Sequence, residues 1–371
     1  MGVWPGCCER KPEPLTWAHP DVIMVEKGGV VMKKLYAILL TICMVLALTG
    51  CRTKQAAQVT RPAFSTQATV PTEESTEPTT QAPTQPETSQ ITPLLYCVTD
   101  TTGNTLWLFG SIHVGREDFY PLPTYVTYAY EQSDVLAVEA DIYAFQSDLT
   151  AQMEALRPLV YTDGTTIQEH LPEELYAAAV EILKANLMYT KPMEYYCPAM
   201  WSSLISSAAV TETELEAQFG IDMHFLERAH EDGKSIKEVE SAAFQYQMLA
   251  DFSDELQVYM LASSIYEYEN SEESTQTLAL LADAWGRGDE SALLEMLAQE
   301  AESIEPEEAI IYEEYYEAMY TNRNLGMAQF AEEALDSGEE VFLCVGAAHI
   351  LGDGALIDLL TQRGYAVRQI Q

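Results

Sequence analysis

Two apolar runs with strand character, each closing on the same four-residue pattern, lie near opposite ends of one long stretch of sequence. Leu106-Trp-Leu-Phe109 leads into Gly110-Ser-Ile-His113, and Val341-Phe-Leu-Cys-Val345 leads into Gly346-Ala-Ala-His349. With the 19 Gly and 6 His of this chain, chance gives the loose Gly-x-x-His pattern roughly 0.3 times. Other β-rich runs cover Leu94 to Thr99 (followed by an Asp100-Thr-Thr-Gly-Asn104 turn), Val135 to Val138, Ser235 to Val239 and Tyr365 to Ile370. Helical periodicity fills the rest: Pro123 to Gln132, Phe145 to about Val210 with breaks at four prolines, Gly220 to Glu231, residues 254–336, and Leu351 to Gln362. Strands at both ends with helices between predict an α/β fold. Its mainly parallel sheet draws on the N- and C-terminal parts, and a large helical insert or lid separates them.

Ligands of open α/β sheets bind beyond the carboxyl ends of the strands. His113 and His349 stand just past two such ends, Glu139 past a third and Glu240 past a fourth. Glycine ahead of each histidine permits a tight turn and a close approach. Two imidazoles with one or two carboxylates suit a divalent ion such as Mn, Co, Zn or Fe. Each residue taken singly also has a plain structural reading. A strand-end histidine satisfies its own ring locally, and a glutamate caps or opens the next helix. His224 and His230 lack metal spacing on their helix and read as surface or packing residues, and His170 as a helix end. Arg116 and Arg228 stand out because basic residues are scarce, and either suits a carboxylate of the substrate or of the protein itself. No Gly-x-Ser-x-Gly elbow and no phosphate-binding glycine loop occurs.

The ends of the chain speak to its compartment. Met32-Lys33-Lys34, the uncharged apolar run Leu35 to Ala47 and Leu48-Thr49-Gly50-Cys51 read as a cleaved lipoprotein signal with its lipobox, Cys51 being the lipidated residue. The expectation is an extracytoplasmic protein tied to the membrane at Cys51, with translation starting at Met32 and residues 1–31 lying upstream of it. Residues 52–93 hold 11 Thr, 6 Pro and 6 Gln with Phe64 as their one aromatic, a composition expected to stay disordered as a tether. Residues 94–371 form the functional body, with 11 Lys+Arg against 50 Asp+Glu. That field argues against nucleic acid and anionic lipid as partners of the domain. Its three cysteines, Cys97, Cys197 and Cys344, form no Cys-x-x-Cys pair; Cys97 and Cys344 read as core residues, with one bridge between them left open.

Phe109-Gly-Ser-Ile-His-Val-Gly115, Tyr120-Pro-Leu-Pro123 and Ser133-Asp-Val-Leu-Ala-Val-Glu-Ala-Asp141 resemble the opening signature of the TraB/GumN/PrgY family. Gly220-Ile-Asp222, Gly233-Lys234 and Val239-Glu240-Ser241 resemble its middle block. Phe342-Leu-Cys-Val-Gly-Ala-Ala-His349 with Gly364-Tyr-Ala-Val367 resembles its closing block. The resemblance implies kinship with the Tiki metalloproteases, which trim peptides with two Gly-x-x-His motifs, an acidic residue and a divalent metal. On that footing His113, Glu139 and His349 are expected to hold the ion, and Glu240 to serve as a further ligand or general base. Glu139 and Glu240 are then the catalytic carboxylates, and a peptide or protein is the expected substrate. A non-catalytic surface binder that sequesters a peptide signal is the rival expectation, and an envelope protein with purely structural histidines a third.

Overall fold

The computed structural model describes residues 89–370, apart from 211, 212, 303 and 307. The signal and lipobox with Cys51, the upstream stretch and most of the tether lie outside the described residues. Among the described residues no helix is long and apolar enough to cross a membrane.

A six-stranded sheet organises the chain: β1 (Leu95–Thr99), β2 (Thr105–Ser111), β3 (Val135–Val138), β4 (Ser235–Glu238), β5 (Val341–Gly346) and β6 (Ala366–Ile370). Their order across the sheet is β4-β3-β5-β2-β1-β6. The four strands β4, β3, β5 and β2 run parallel, while β1 pairs antiparallel with both β2 and β6. β3 and β5 read as near-continuous apolar runs because both of their faces are covered, as parallel strands require. β4, Ser-Ile-Lys-Glu, is more exposed and carries charge, which suits an edge. The β1–β2 turn forms where expected: the Asp100 carboxylate accepts the backbone N–H groups of Thr102, Gly103 and Asn104, and Gly103 takes φ 97°.

The mainly parallel sheet with a helical insert is thus the observed architecture. One core surrounds the sheet and includes residues of the helices Thr124–Gln132, Ile221–Asp232, Ser271–Gly286, Asn322–Ser337 and Leu356–Gln362. A second core lies within the insert, chiefly among Leu149–Leu156, Glu173–Ala185, Pro198–Val210, Ala242–Asp251 and Asp254–Glu269. Pro198–Val210 is buried along its whole length, which marks a central helix. Its serines still find partners: Ser202 Oγ lies 2.6 Å from Ser264 Oγ, and Ser203 donates to the Ala199 carbonyl.

Three details differ from the sequence reading. Helix Leu356–Gln362 starts five residues later than its apolar pattern suggests, because Gly352 and Gly354 take φ of 104° and 73° and hold Leu351 to Ala355 in turns. Cys97 and Cys344 are free buried thiols, as is Cys197, so the bridge left open between the first two is absent. Finally, the last residues assigned to the tether are packed. Ile91 is buried, and Thr92 donates its backbone N–H to the Gly286 carbonyl at 2.7 Å, fixing the turn between helices Ser271–Gly286 and Glu290–Glu302.

Candidate functional site

The parallel register sets the site. β2 and β5 are neighbours, with Gly110 opposite Val345 and Ser111 opposite Gly346, so both Gly-x-x-His motifs emerge side by side. A Cβ on Gly110 would stand 3.2 Å from the Cα and Cβ of Ala347, so each motif's backbone occupies the space the other leaves. β3 flanks β5 on its other side and delivers Glu139 directly after Val138. Beyond β4 the pairing continues, with the Glu240 N–H donating to the Glu139 carbonyl at 2.9 Å. The structure therefore brings His113, Glu139, Glu240 and His349 to one end of the parallel sheet.

Each imidazole is held by its Nδ1. Asp222 Oδ2 lies 3.0 Å from His113 Nδ1. Gly220, two residues before Asp222, approaches so closely that a Cβ there would meet the His113 carbonyl oxygen at 2.3 Å. On the other side, His349 Nδ1 donates to Asn324 Oδ1 at 2.7 Å, and the Asn324 amide is oriented by its own donation to the Gly354 carbonyl. The His349 Nε2 is thereby left with its lone pair, in the manner of a metal-ligating histidine held by an amide behind it. Burial, with Arg323 beside it, pushes the His349 imidazole down to about 3, so that it is neutral over the physiological range.

Arg323 occupies the middle of the carboxylates and is only 2 % exposed. Its Nη2 donates to Glu139 Oε2 at 2.6 Å and to Glu240 Oε2 at 3.0 Å, and its Nε donates to Glu240 Oε1 at 2.7 Å. Gln245 Nε2 adds bonds to Glu240 Oε2 at 3.0 Å and Glu139 Oε2 at 3.3 Å. Burial alone would raise the Glu139 carboxyl. Arg323 foremost, with the two imidazoles and the Gly346 N–H, instead holds it well below the usual carboxylate range. A π-helical turn, Glu317–Thr321, lies immediately before Asn322–Ser337 and the two site residues Arg323 and Asn324; such turns recur at functional sites.

Two donors of this cluster stand close enough together to share one divalent ion. His349 Nε2 is buried and makes no hydrogen bond, and it lies 4.0 Å from Glu139 Oε1. Two donors on one ion, each roughly 2.1 Å from it, stand at most about 4.2 Å apart. A Cβ on Gly346 would fall 3.4 Å from Glu139 Oε1, 3.6 Å from His349 Cδ2 and 3.8 Å from His113 Nε2. The absent side chain leaves a cradle facing all three groups. As placed, among the described residues no three His, Cys, Asp or Glu side chains stand in full ligating geometry. Glu240 fits less well than Glu139, because both its oxygens are taken by Arg323 and Gln245.

The two arginines singled out in the sequence serve the protein's own surface. Arg116 pairs with Asp118 and Asp283, and Arg228 pairs with Glu131 and Asp232 above the Tyr130 ring. His224 packs against Tyr120, while His230 bonds Asp141 and His170 stacks on Tyr161. Two hollows adjoin the histidines and share Ser111 and His113. One is small and mixed, lined by Glu139, Asp222 and Gln245 with Val138, Ile142 and Cys344. The other is apolar and runs between the strand ends and helices Ser271–Gly286 and Glu290–Glu302.

An α/β sheet that carries two histidines and two carboxylates past the ends of four parallel strands, beneath a helical insert, defines the class of protein. The chain belongs to the TraB/PrgY/gumN family, whose model matches residues 94–369. It is 24% identical over 257 residues to the uncharacterized protein YbaP of Escherichia coli strain K12, covering 68% of this chain and 86% of that protein. The Shigella flexneri protein of the same name matches to the same extent. No solved structure matches the chain.

Proposed function

We propose that the protein is an extracytoplasmic, lipid-anchored, metal-dependent hydrolase that cleaves peptide bonds. The observation carrying this reading is the Gly346 cradle, faced by two Nδ1-tethered histidines and by a carboxylate held ionised. The lipobox at Cys51 supports the location, and the acidic domain fits a membrane attachment made by lipid and not by charge.

His113, His349 and Glu139 would hold the ion. A bound divalent ion supplies a water of lowered pKa and polarises the scissile carbonyl. Asn324 keeps the His349 imidazole in the tautomer that presents Nε2, and Asp222 lies behind the His113 Nδ1. Glu139 Oε1, which accepts the Gly346 N–H at 2.8 Å, is the carboxylate oxygen that Arg323 and Gln245 leave to face the cradle. Glu240 fixes Arg323, and Arg323 in turn prevents Glu139 from taking up a proton in the resting site.

The test is hydrolysis of a mixed peptide pool by the purified domain, followed by mass spectrometry, before and after chelation. Cleavage that chelation stops, that Mn, Co or Zn restores and that His113→Ala/His349→Ala lacks is the expected result. Peptide binding without cleavage at any metal supports instead the rival reading, a surface binder that sequesters a peptide.

A further inference from the structure

The apolar hollow beside the histidines has a one-sided chemistry. Its walls are Leu278, Leu281, Trp285, Met296, Leu297 and Leu351, while Ser111, His113 and His349 meet it at the strand ends. Trp285 is not free to swing out, because its indole N–H donates to the Gly110 carbonyl at 2.8 Å and ties the wall to the first histidine motif. The opposite wall is fixed by the tight turn at Gly288, where a Cβ would stand 2.2 Å from the Thr92 carbonyl oxygen. An apolar group lying in such a hollow places whatever carbonyl it carries at the histidine end.

Size narrows the occupant. The hollow is partly open and offers about 90 Å³ of space, less than the roughly 150 Å³ of an apolar cavity that holds benzene. A branched or short linear aliphatic group fills it, whereas a ring or a long acyl chain is left partly outside its apolar walls. Resting on the hydrolase reading, we propose that this hollow is the specificity subsite of the protein and takes the aliphatic side chain, of leucine or methionine size, of the residue whose carbonyl is attacked. It thereby selects peptides cleaved after such residues.

Binding to the metal-free full-length protein in detergent tests this apart from catalysis. The probes are N-acetyl-Xaa-methylamides with Xaa = Leu, Met, Gly, Asp or Phe, together with octanoylglycine, titrated by isothermal calorimetry. The expected result is at least tenfold tighter binding of Leu and Met than of Gly, Asp or Phe. Leu281→Asn should abolish that preference. Leu297→Ala, which widens the hollow, should admit Phe, a gain that misfolding cannot produce. Equal binding of Gly and Leu overturns the subsite, as does Phe or octanoylglycine binding better than Leu in wild type. Selective Leu binding by a protein that cleaves no peptide supports the subsite while removing the hydrolase reading.

Discussion

Arg323 is the residue on which the site's charge balance turns. It neutralises two buried carboxylates, and removing one partner of a buried ionic cluster leaves charge without compensation, at a cost of about 3–5 kcal/mol. Arg323→Met is therefore expected to lower stability by that amount in chemical denaturation. Arg323→Met/Glu240→Gln should recover part of it by deleting one of the stranded charges. A second prediction concerns protons. Burial and nearby Arg228 push His224 down to about 4 in the folded chain, against an ordinary value of 6.5. The unfolded chain binds the extra proton first, so this residue's contribution is intact above about pH 6.5 and is lost as pH falls towards 4. In thermal melts His224→Gln should lose less stability than wild type over that interval; an unchanged slope contradicts the shift. The shared placement of His113, Glu139, Glu240 and His349 at one sheet end was legible in sequence because apolar strands are easily read and their ends can be counted. Arg323, Asn324, Asp222 and Gln245 were not read as site residues, since they sit on helices that reach the sheet end only through tertiary packing. One signal was available. Arg323 lies four residues from Met319 and four from Met327, all three buried, so it is a charge on an apolar helix face. Scarcity drew attention to Arg116 and Arg228 instead, and these answer local surface charge.

At the scale of elements, the glycines of the two strand-ending motifs are spacers, and they are not equivalent to Gly220. A methyl on Gly346 makes ordinary contacts of 3.4 Å and longer with Glu139 and the histidines, and its φ of −52° suits any residue. Gly346→Ala should thus fold with a stability change under about 1 kcal/mol, yet weaken metal binding by about tenfold or more by filling the cradle. Gly220→Ala behaves differently, because its Cβ would stand 2.3 Å from a backbone oxygen of His113. The loss expected is about 1–3 kcal/mol of strain, with His113 displaced. A denaturation series with metal titration separates the two. The helices were legible as a class, from periodicity and proline breaks. The helix start at Leu356 and the π-turn at Glu317–Thr321 were hidden, as both depend on backbone conformation that the apolar pattern does not encode.

The whole molecule joins a sheet that holds the site to an acidic helical body with its own core. That division was visible in sequence as strands at both ends of the domain and helices between them. The order β4-β3-β5-β2 was not, because pairing partners are set by the packing of both cores. The account stands or falls on whether the sheet end binds a metal. The direct measurement is elemental mass spectrometry on residues 89–371, purified without an affinity-tag metal and dialysed against mixed Mn, Co, Zn and Fe, beside a folded His113→Ala/His349→Ala variant. Near-stoichiometric metal in wild type and none in the variant is the predicted result. Metal absent from both, or equal in both, contradicts it.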